Sequence, residues 1–128
     1  MGYYMNSMNC SFALKKENVK AAWESIKNLL QEKKEIGWTS WESIKNCCSF
    51  EEVMAECGWE VYINEKGDYD AIIFINEKAS NDIVILNAIA PYVEPNSYIQ
   101  MQGEDGEIWR WVFEDGKVKE IYPTILWN

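Results

Sequence analysis

The fold of this chain is decided by its C-terminal stretch, which reads SYIQMQGEDGEIWRWVFEDGKVKEIY from Ser97 to Tyr122. Alternation of apolar and polar residues predicts three strands in it, over residues 97–102, 107–113 and 117–122. Each of the two connections contains Asp-Gly, a sequence that favours tight antiparallel hairpins. The stretch therefore predicts a three-stranded antiparallel meander.

The middle strand of this meander carries the most distinctive side chains. Alternation places Trp109, Trp111 and Phe113 on one face of the strand and Arg110 on the other. Three large aromatic residues on one face usually pack into a core beneath helices, although they would also suit a ligand platform. We expect the aromatic face to be core and Arg110 to lie on the open face of the sheet.

The N-terminal half predicts one strand and mostly helix after it. A strand is expected over Tyr4–Leu14 and a helix over about Glu17–Lys34, because apolar residues recur there at helical spacing before Gly37. A short irregular or helical turn follows and holds Trp38 and Trp41. The sequence Ser49-Phe50-Glu51-Glu52 is typical of a capping box and predicts a further helix that ends at Gly58.

A hairpin and a last helix connect these elements to the meander. Alternating or continuous apolar residues predict the two strands of the hairpin, over Trp59–Asn64 and Tyr69–Asn76. Ser80-Asn81-Asp82 is typical of a helix start and predicts a helix over 83–90, although the β-branched run Ile83–Leu86 would also suit a strand. The chain 1–128 is thus predicted to be a single α+β domain. We expect a two-layer sandwich of ferredoxin-like β-α-β-β-α-β order, with a short helix after the first long helix and an extra C-terminal β-hairpin.

Composition excludes several functional classes. The 128 residues include 12 Lys and Arg against 21 Asp and Glu, a net charge of −9, and no histidine. A chain with seven Trp, seven Tyr and four Phe is not a disordered tail. The acidic balance disfavours a protein that grips nucleic-acid phosphates, and the lack of histidine excludes Ser-His or Cys-His catalysis and imidazole-bound zinc.

Charge is distributed unevenly along the chain. Residues 1–45 hold seven lysines and five glutamates, whereas residues 46–128 hold 16 acidic and five basic residues. The N-terminal part is therefore mildly basic, and the rest carries the acidic field. Such an asymmetry favours electrostatic attraction of a basic partner.

Cysteine spacing and the N-terminal segment indicate a cytoplasmic protein. Cys10, Cys47, Cys48 and Cys57 contain no Cys-x-x-Cys pair, so we expect reduced, partly buried thiols rather than a zinc or redox site. The N-terminal segment lacks the positive start and apolar run of a signal peptide. No uncharged apolar stretch is long enough to span a bilayer.

Carboxylates in two turns offer an alternative, metal-dependent function. Glu104, Asp105 and Glu107 lie in one turn, and Asp68 and Asp70 lie in or beside another. Oxygen ligands of this kind suit magnesium or calcium, but the EF-hand spacing is missing, and Asp-Gly sequences form turns in their own right.

A partner-binding surface is the more specific hypothesis. We expect Arg110 to share the open face of the sheet with Tyr62, Tyr98, Gln100 and Gln102, since Arg beside Tyr is common at interface hot spots. Glu104 and Asp105 extend the predicted site. A simpler alternative pairs Arg110 across strands with Glu120.

The segment from Ser97 to Phe113 also carries a resemblance. Its Ser-Tyr-Ile, Gly-Glu-Asp-Gly and Trp-Arg-Trp-x-Phe series, preceded by Ile89-Ala90-Pro91-Tyr92-Val93, resembles a group of small uncharacterised bacterial proteins. The resemblance covers residues 80–115 and implies a shared fold, but no activity and no catalytic residues.

Together these features predict a non-catalytic acidic binding protein, such as an inhibitor of a basic partner of the immunity-protein, antitoxin or phage anti-defence type. A small enzyme or ligand-binding domain that uses the carboxylate turns is the alternative, and a cytoplasmic domain without such a role is the simplest reading. No catalytic residue, cofactor, nucleic-acid partner or membrane contact is predicted. A homodimer is compatible with an uncovered sheet face.

Overall fold

The elements follow one another in the order that the sequence predicts. The computed structural model describes residues 3–127. Its elements are β1 (Met5–Ser11), α1 (Lys16–Lys33), β2 (Glu35–Ile36), β3 (Thr39–Ser40), α2 (Trp41–Ile44), α3 (Phe50–Glu56), β4 (Trp59–Ile63), β5 (Tyr69–Phe74), α4 (Asp82–Ile89), a 3-10 turn (Ala90–Tyr92), β6 (Tyr98–Gly103), β7 (Ile108–Glu114) and β8 (Lys117–Ile121). The small β2–β3 ladder is an addition that the sequence did not predict. The ambiguous run that begins at Ile83 is helical.

The predicted meander is confirmed and forms most of the main sheet. This sheet is antiparallel, with strand order β1-β6-β7-β8. In its register Trp111 lies opposite Ile99 and Trp109 lies opposite Met101. Because β7 is hydrogen-bonded on both sides, the orientation of its side chains is fixed by two ladders.

The single ferredoxin-like sheet that the element order predicts is not confirmed. β4 and β5 form a sheet of their own. Two isolated antiparallel bridges, Tyr4 with Lys78 and Leu14 with Tyr69, join the segments that flank β1 to the hairpin and to the residues that follow it. Between the bridges, the Ser7 hydroxyl accepts a hydrogen bond from the Phe74 amide at 3.0 Å, and the register of β1 shifts after Ser7. A serine side chain thus replaces the backbone ladder at this point. The α+β class is confirmed, with a mainly antiparallel sheet of four strands and two small sheets.

The aromatic face of β7 is core, as expected. Trp109, Trp111 and Phe113 are all buried. Phe113 meets Phe12 edge-on at 5.9 Å, and Trp111 lies 6.2 Å from Trp59 of the hairpin. The helices bury apolar stripes against these strands, at Ala22, Ile26 and Leu30 of α1, Phe50, Val53 and Met54 of α3, and Ile85, Leu86 and Ile89 of α4.

The start of α3 follows the predicted capping sequence only in part. The Ser49 hydroxyl accepts a hydrogen bond from the Glu52 amide, as expected. The Glu52 carboxylate, however, accepts from the Cys48 amide at 2.8 Å and from the Ser49 hydroxyl at 3.4 Å, rather than from the Ser49 amide as a reciprocal box requires. The helix gives way at Gly58, whose φ of +94° favours glycine.

Among residues 3–127, no helix combines the length and the apolar character needed to cross a bilayer.

Candidate functional site

The open face of the main sheet brings four of the predicted site residues together. Tyr98, Gln100 and Gln102 alternate along β6, and Arg110 lies directly opposite Gln100 on β7. The Arg110 Nε donates to Gln100 Oε1 at 2.9 Å, and its guanidinium carbon lies 4.1 Å from the centre of the Tyr98 ring. Arg110 is thus already engaged within the chain, by one hydrogen bond and by a cation–π contact.

The other predicted members lie elsewhere. Tyr62 belongs to β4 in the separate hairpin, where a hydrogen bond to Glu60 raises the pKa of its hydroxyl. Glu104 lies in the β6–β7 turn and accepts a hydrogen bond from the Tyr4 amide at 3.0 Å, while Asp105 is exposed in the same turn. Among the seven predicted residues, the side-chain contacts of Arg110 are with Gln100 and Tyr98.

The alternative pairing of Arg110 with Glu120 is wrong. Arg110 lies opposite Ile121 in the β7–β8 register, and Glu120 lies opposite Trp111 on the other face of the sheet. One residue of register separates the two possibilities, and a shift of one residue reverses the face to which a strand side chain points.

The open sheet face is not the acidic surface. Its register places Arg110, Lys119 and Lys117 on this face with a single carboxylate, Glu114, which pairs with Lys119 at 3.1 Å. Most of the acidic residues therefore lie on other parts of the molecule.

One concentration of acidic residues lies on α3 and the adjoining strand. Glu51, Glu52 and Glu56 of α3 and Glu60 of β4 are all exposed, and we call them the α3–β4 acidic face. Tyr69 donates its hydroxyl to Glu51 at 2.8 Å, which anchors one end of this face to the hairpin. Over the described part of the chain, the ion pairs are Lys45–Glu42 and Lys119–Glu114, so none of the four carboxylates is neutralised by one.

A second concentration lines a cleft of about 340 Å³ at one end of the main sheet. We call it the acidic–aromatic cleft. It combines three carboxylates with four aromatic side chains, and no basic residue lines it within the described chain. Its lining is Tyr3, Met5, Ala79, Ser80, Asp82, Ile83, Glu107, Trp109, Trp111, Glu120 and Tyr122.

Two neighbours hold the Glu120 carboxylate in this cleft. Trp111 Nε1 donates to Glu120 Oε1 at 2.8 Å, and the Tyr122 hydroxyl donates to the other carboxylate oxygen. A carboxylate accepts about four hydrogen bonds, so Glu120 keeps acceptor capacity for an external donor. Its orientation is fixed by aromatic residues rather than by a cation.

Asp82 is the buried carboxylate of the cleft. Trp59 Nε1 donates to its Oδ1 at 3.0 Å, and the Ser80 amide donates to its Oδ2 at 2.8 Å. Burial raises the pKa of Asp82, and these hydrogen bonds oppose the rise. The sequence identified Asp82 only as part of a helix start, and nothing in the local pattern indicates its contact with Trp59, 23 residues away.

Two hydrogen-bond donors in the cleft wall have no acceptor. Trp109 Nε1 and the Tyr3 hydroxyl are buried and lack a hydrogen-bond partner among the described residues. Trp109 is only 7% exposed. A buried donor without an acceptor costs about 1–3 kcal/mol, so any acceptor within reach of either group would stabilise the chain.

Neither the carboxylates of the turns nor the cysteine thiols form a metal site among the described residues. Asp68 accepts a hydrogen bond from the Lys16 amide at 2.8 Å, and in the described chain no three Cys, Asp or Glu side chains form a group that could hold a metal ion. All four cysteines are free thiols, and burial raises the pKa of Cys57 to about 12.

Comparison with family models, with curated proteins and with solved structures gives no match for this chain.

Proposed function

We propose that this chain is a non-catalytic binding protein that docks a basic protein partner, in the manner of an immunity protein, an antitoxin or an anti-defence inhibitor. One observation carries the proposal. The exposed carboxylates of the α3–β4 acidic face and those around the acidic–aromatic cleft are not neutralised by ion pairs within the described chain. Charge left open in this way is available to a partner.

Electrostatics gives the proposal its expected kinetic behaviour. A net charge of −9 attracts a basic surface over about one Debye length, roughly 10 Å at 0.1 M salt. Steering of this kind raises association rates by on the order of tenfold or more and is lost as salt rises. Aromatic residues beside the acidic groups then supply the apolar contact that interface cores favour.

The proposal also includes a sheet arrangement, a cellular location and a group of related proteins. We infer a ferredoxin-like arrangement in which β5 lies beside β1, and two observations support it: the antiparallel bridges of Tyr4 with Lys78 and of Leu14 with Tyr69, and the hydrogen bond from the Phe74 amide to the Ser7 hydroxyl. The encounter with the partner is proposed to take place in the cytoplasm. Membership of the small bacterial group that residues 80–115 resemble stays a prediction.

A capture experiment with a matched variant tests the proposed function. The tagged chain is immobilised, exposed to source lysate at about 50 mM and about 500 mM salt, and the retained proteins are identified by mass spectrometry. A second sample uses Glu51→Gln, Glu52→Gln and Glu56→Gln together. The control is Glu17→Gln, Glu24→Gln and Glu32→Gln, which removes the same charge from α1.

The expected result is one basic protein retained at low salt, weakened at high salt and weakened by the α3 variant more than by the α1 control. The identified protein is then produced alone, and its association rate with the pure chain is measured against salt. Retention of neutral or acidic proteins only, or equal loss with the two variants, would overturn the proposal.

A further inference from the structure

The acidic–aromatic cleft has a more specific chemistry than the acidic surface around it. Asp82, Glu107 and Glu120 supply negative charge from three different elements of the fold. Trp109 and Trp111, which are 7% and 5% exposed, line the cleft and meet edge-to-face, with ring centres 5.8 Å apart and planes at 67°. Aromatic faces beside carboxylates are the surroundings in which organic cations bind most favourably.

The unpartnered donors add a second requirement. Trp109 and Tyr3 line the cleft, and neither Trp109 Nε1 nor the Tyr3 hydroxyl has a hydrogen-bond acceptor among the described residues. A bare metal ion would satisfy the carboxylates but not these donors. An occupant that carries a cation and a carbonyl oxygen satisfies both.

We propose that this cleft binds an arginine side chain, together with the adjoining peptide carbonyl, presented by the basic partner. The inference rests on the proposed function. A planar guanidinium stacks on indole rings and donates in a fork to a carboxylate, whereas an ammonium group acts as a point charge. Glu120 is the carboxylate that receives it, since Trp111 and Tyr122 already hold its oxygens in place.

The size of the cleft agrees with this occupant. Its volume of about 340 Å³ lies at the lower end of the range for ligand pockets, roughly 300–1,000 Å³. It therefore suits one side chain and its peptide group better than a cofactor.

A titration of the intact chain with N-acetyl-L-argininamide tests the proposal. This probe carries the guanidinium and two carbonyl groups but no carboxylate. Binding is followed by ¹H–¹⁵N spectra of the tryptophan indole groups, with the Trp109 signal assigned by its loss in Trp109→Phe. The neutral isostere N-acetyl-citrullinamide, N-acetyl-L-lysinamide and magnesium chloride are titrated in parallel.

We expect the arginine probe to shift the Trp109 and Trp111 indole signals saturably, with the lysine probe binding at least threefold more weakly and the citrulline probe not saturating. Glu120→Gln should weaken the arginine probe at least threefold. Asp115→Asn, which removes one charge from the turn at the other end of β7, should leave it unchanged within twofold.

The outcomes separate this inference from the proposed function. Equal binding of the citrulline or lysine probe, the same shifts with magnesium, or no shift of either signal would overturn the arginine site, even where a basic partner is captured. Saturable binding of the arginine probe with no basic protein captured would instead overturn the proposed function and leave a free cation site.

Discussion

Replacing Trp59 with phenylalanine should destabilise the chain far more than the same replacement of Trp109. Both indoles are buried. Exchanging a buried indole for a phenyl ring costs about 1–2 kcal/mol through lost apolar contact and a residual cavity. Trp59→Phe also removes the hydrogen bond to the Asp82 carboxylate, and a bond to a charged group contributes about 1.5–3 kcal/mol. We therefore expect about 3–4 kcal/mol for Trp59→Phe and about 1–2 kcal/mol or less for Trp109→Phe.

The cost of Trp59→Phe should also depend on pH. Burial raises the pKa of folded Asp82 above its ordinary value of 3.8, so the unfolded chain releases this proton first as pH rises. Stability contributed by Asp82 is thus highest below 3.8 and is lost as pH rises through the folded pKa. Removing the Trp59 donor raises that pKa further, so the variant loses more stability than the wild type over this window.

Urea unfolding followed by far-ultraviolet circular dichroism measures both effects. It is carried out at about pH 4.5 and about pH 7.5 on the wild type and on the two variants. The destabilisation by Trp59→Phe should be smaller at the lower pH, whereas that by Trp109→Phe should stay constant because Trp109 contacts no titrating acceptor. Equal costs for the two variants at neutral pH, or a pH-independent cost of Trp59→Phe, would refute the assignment of a charged, indole-bound Asp82.

Three further predictions concern other parts of the chain. Gly103→Ala should cost about 1–3 kcal/mol in urea unfolding, because a Cβ there would overlap the Tyr3 hydroxyl; a cost below about 0.5 kcal/mol would show that Tyr3 does not pack on Gly103. N-ethylmaleimide at about pH 8 should label exposed Cys48 first and Cys57 last, since Cys57 is buried and its pKa is raised to about 12; peptide mapping that finds equal rates would contradict this. Serine replacement at Ile125, Leu126 or Trp127, which are 76%, 83% and 91% exposed, should change the unfolding free energy by less than about 0.5 kcal/mol, and a larger loss would mean that the segment packs on the domain.

Local patterns determined the elements but not their association into sheets. Asp-Gly turns and alternation predicted β6, β7 and β8 to within a residue or two, because both signals lie in neighbouring residues. Between β1 and β5, by contrast, the Phe74 amide donates to the Ser7 hydroxyl, a contact over 67 residues. The alternation of apolar and polar residues within either strand does not predict that hydrogen bond.

For the candidate site, too, the sequence predicted which side chains share a face but not the charge of that face. Alternation placed Tyr98, Gln100 and Arg110 on one face correctly, since strand faces follow directly from a period of two. The charge of that face could not be read in the same way, because it depends on which lysines of β8 lie opposite it. The carboxylates of Asp82 and Glu120 are oriented by hydrogen bonds from the indole N–H groups of Trp59 and Trp111. The sequence indicates such bonds only through its large number of tryptophans.

The whole aromatic face of β7 is buried in the core, and its Trp109–Trp111 end also lines the acidic–aromatic cleft. Phe113 is completely buried and meets Phe12, so that end of β7 belongs to the core. Trp109 and Trp111 continue the same face to the cleft, where Trp111 orients Glu120 and the indole donor of Trp109 stays unpaired. Tryptophan is suited to this position because its ring packs as core while its N–H acts at the edge of the cleft. The rigidity that the core confers on β7 therefore also positions the carboxylate that we propose receives the partner's arginine.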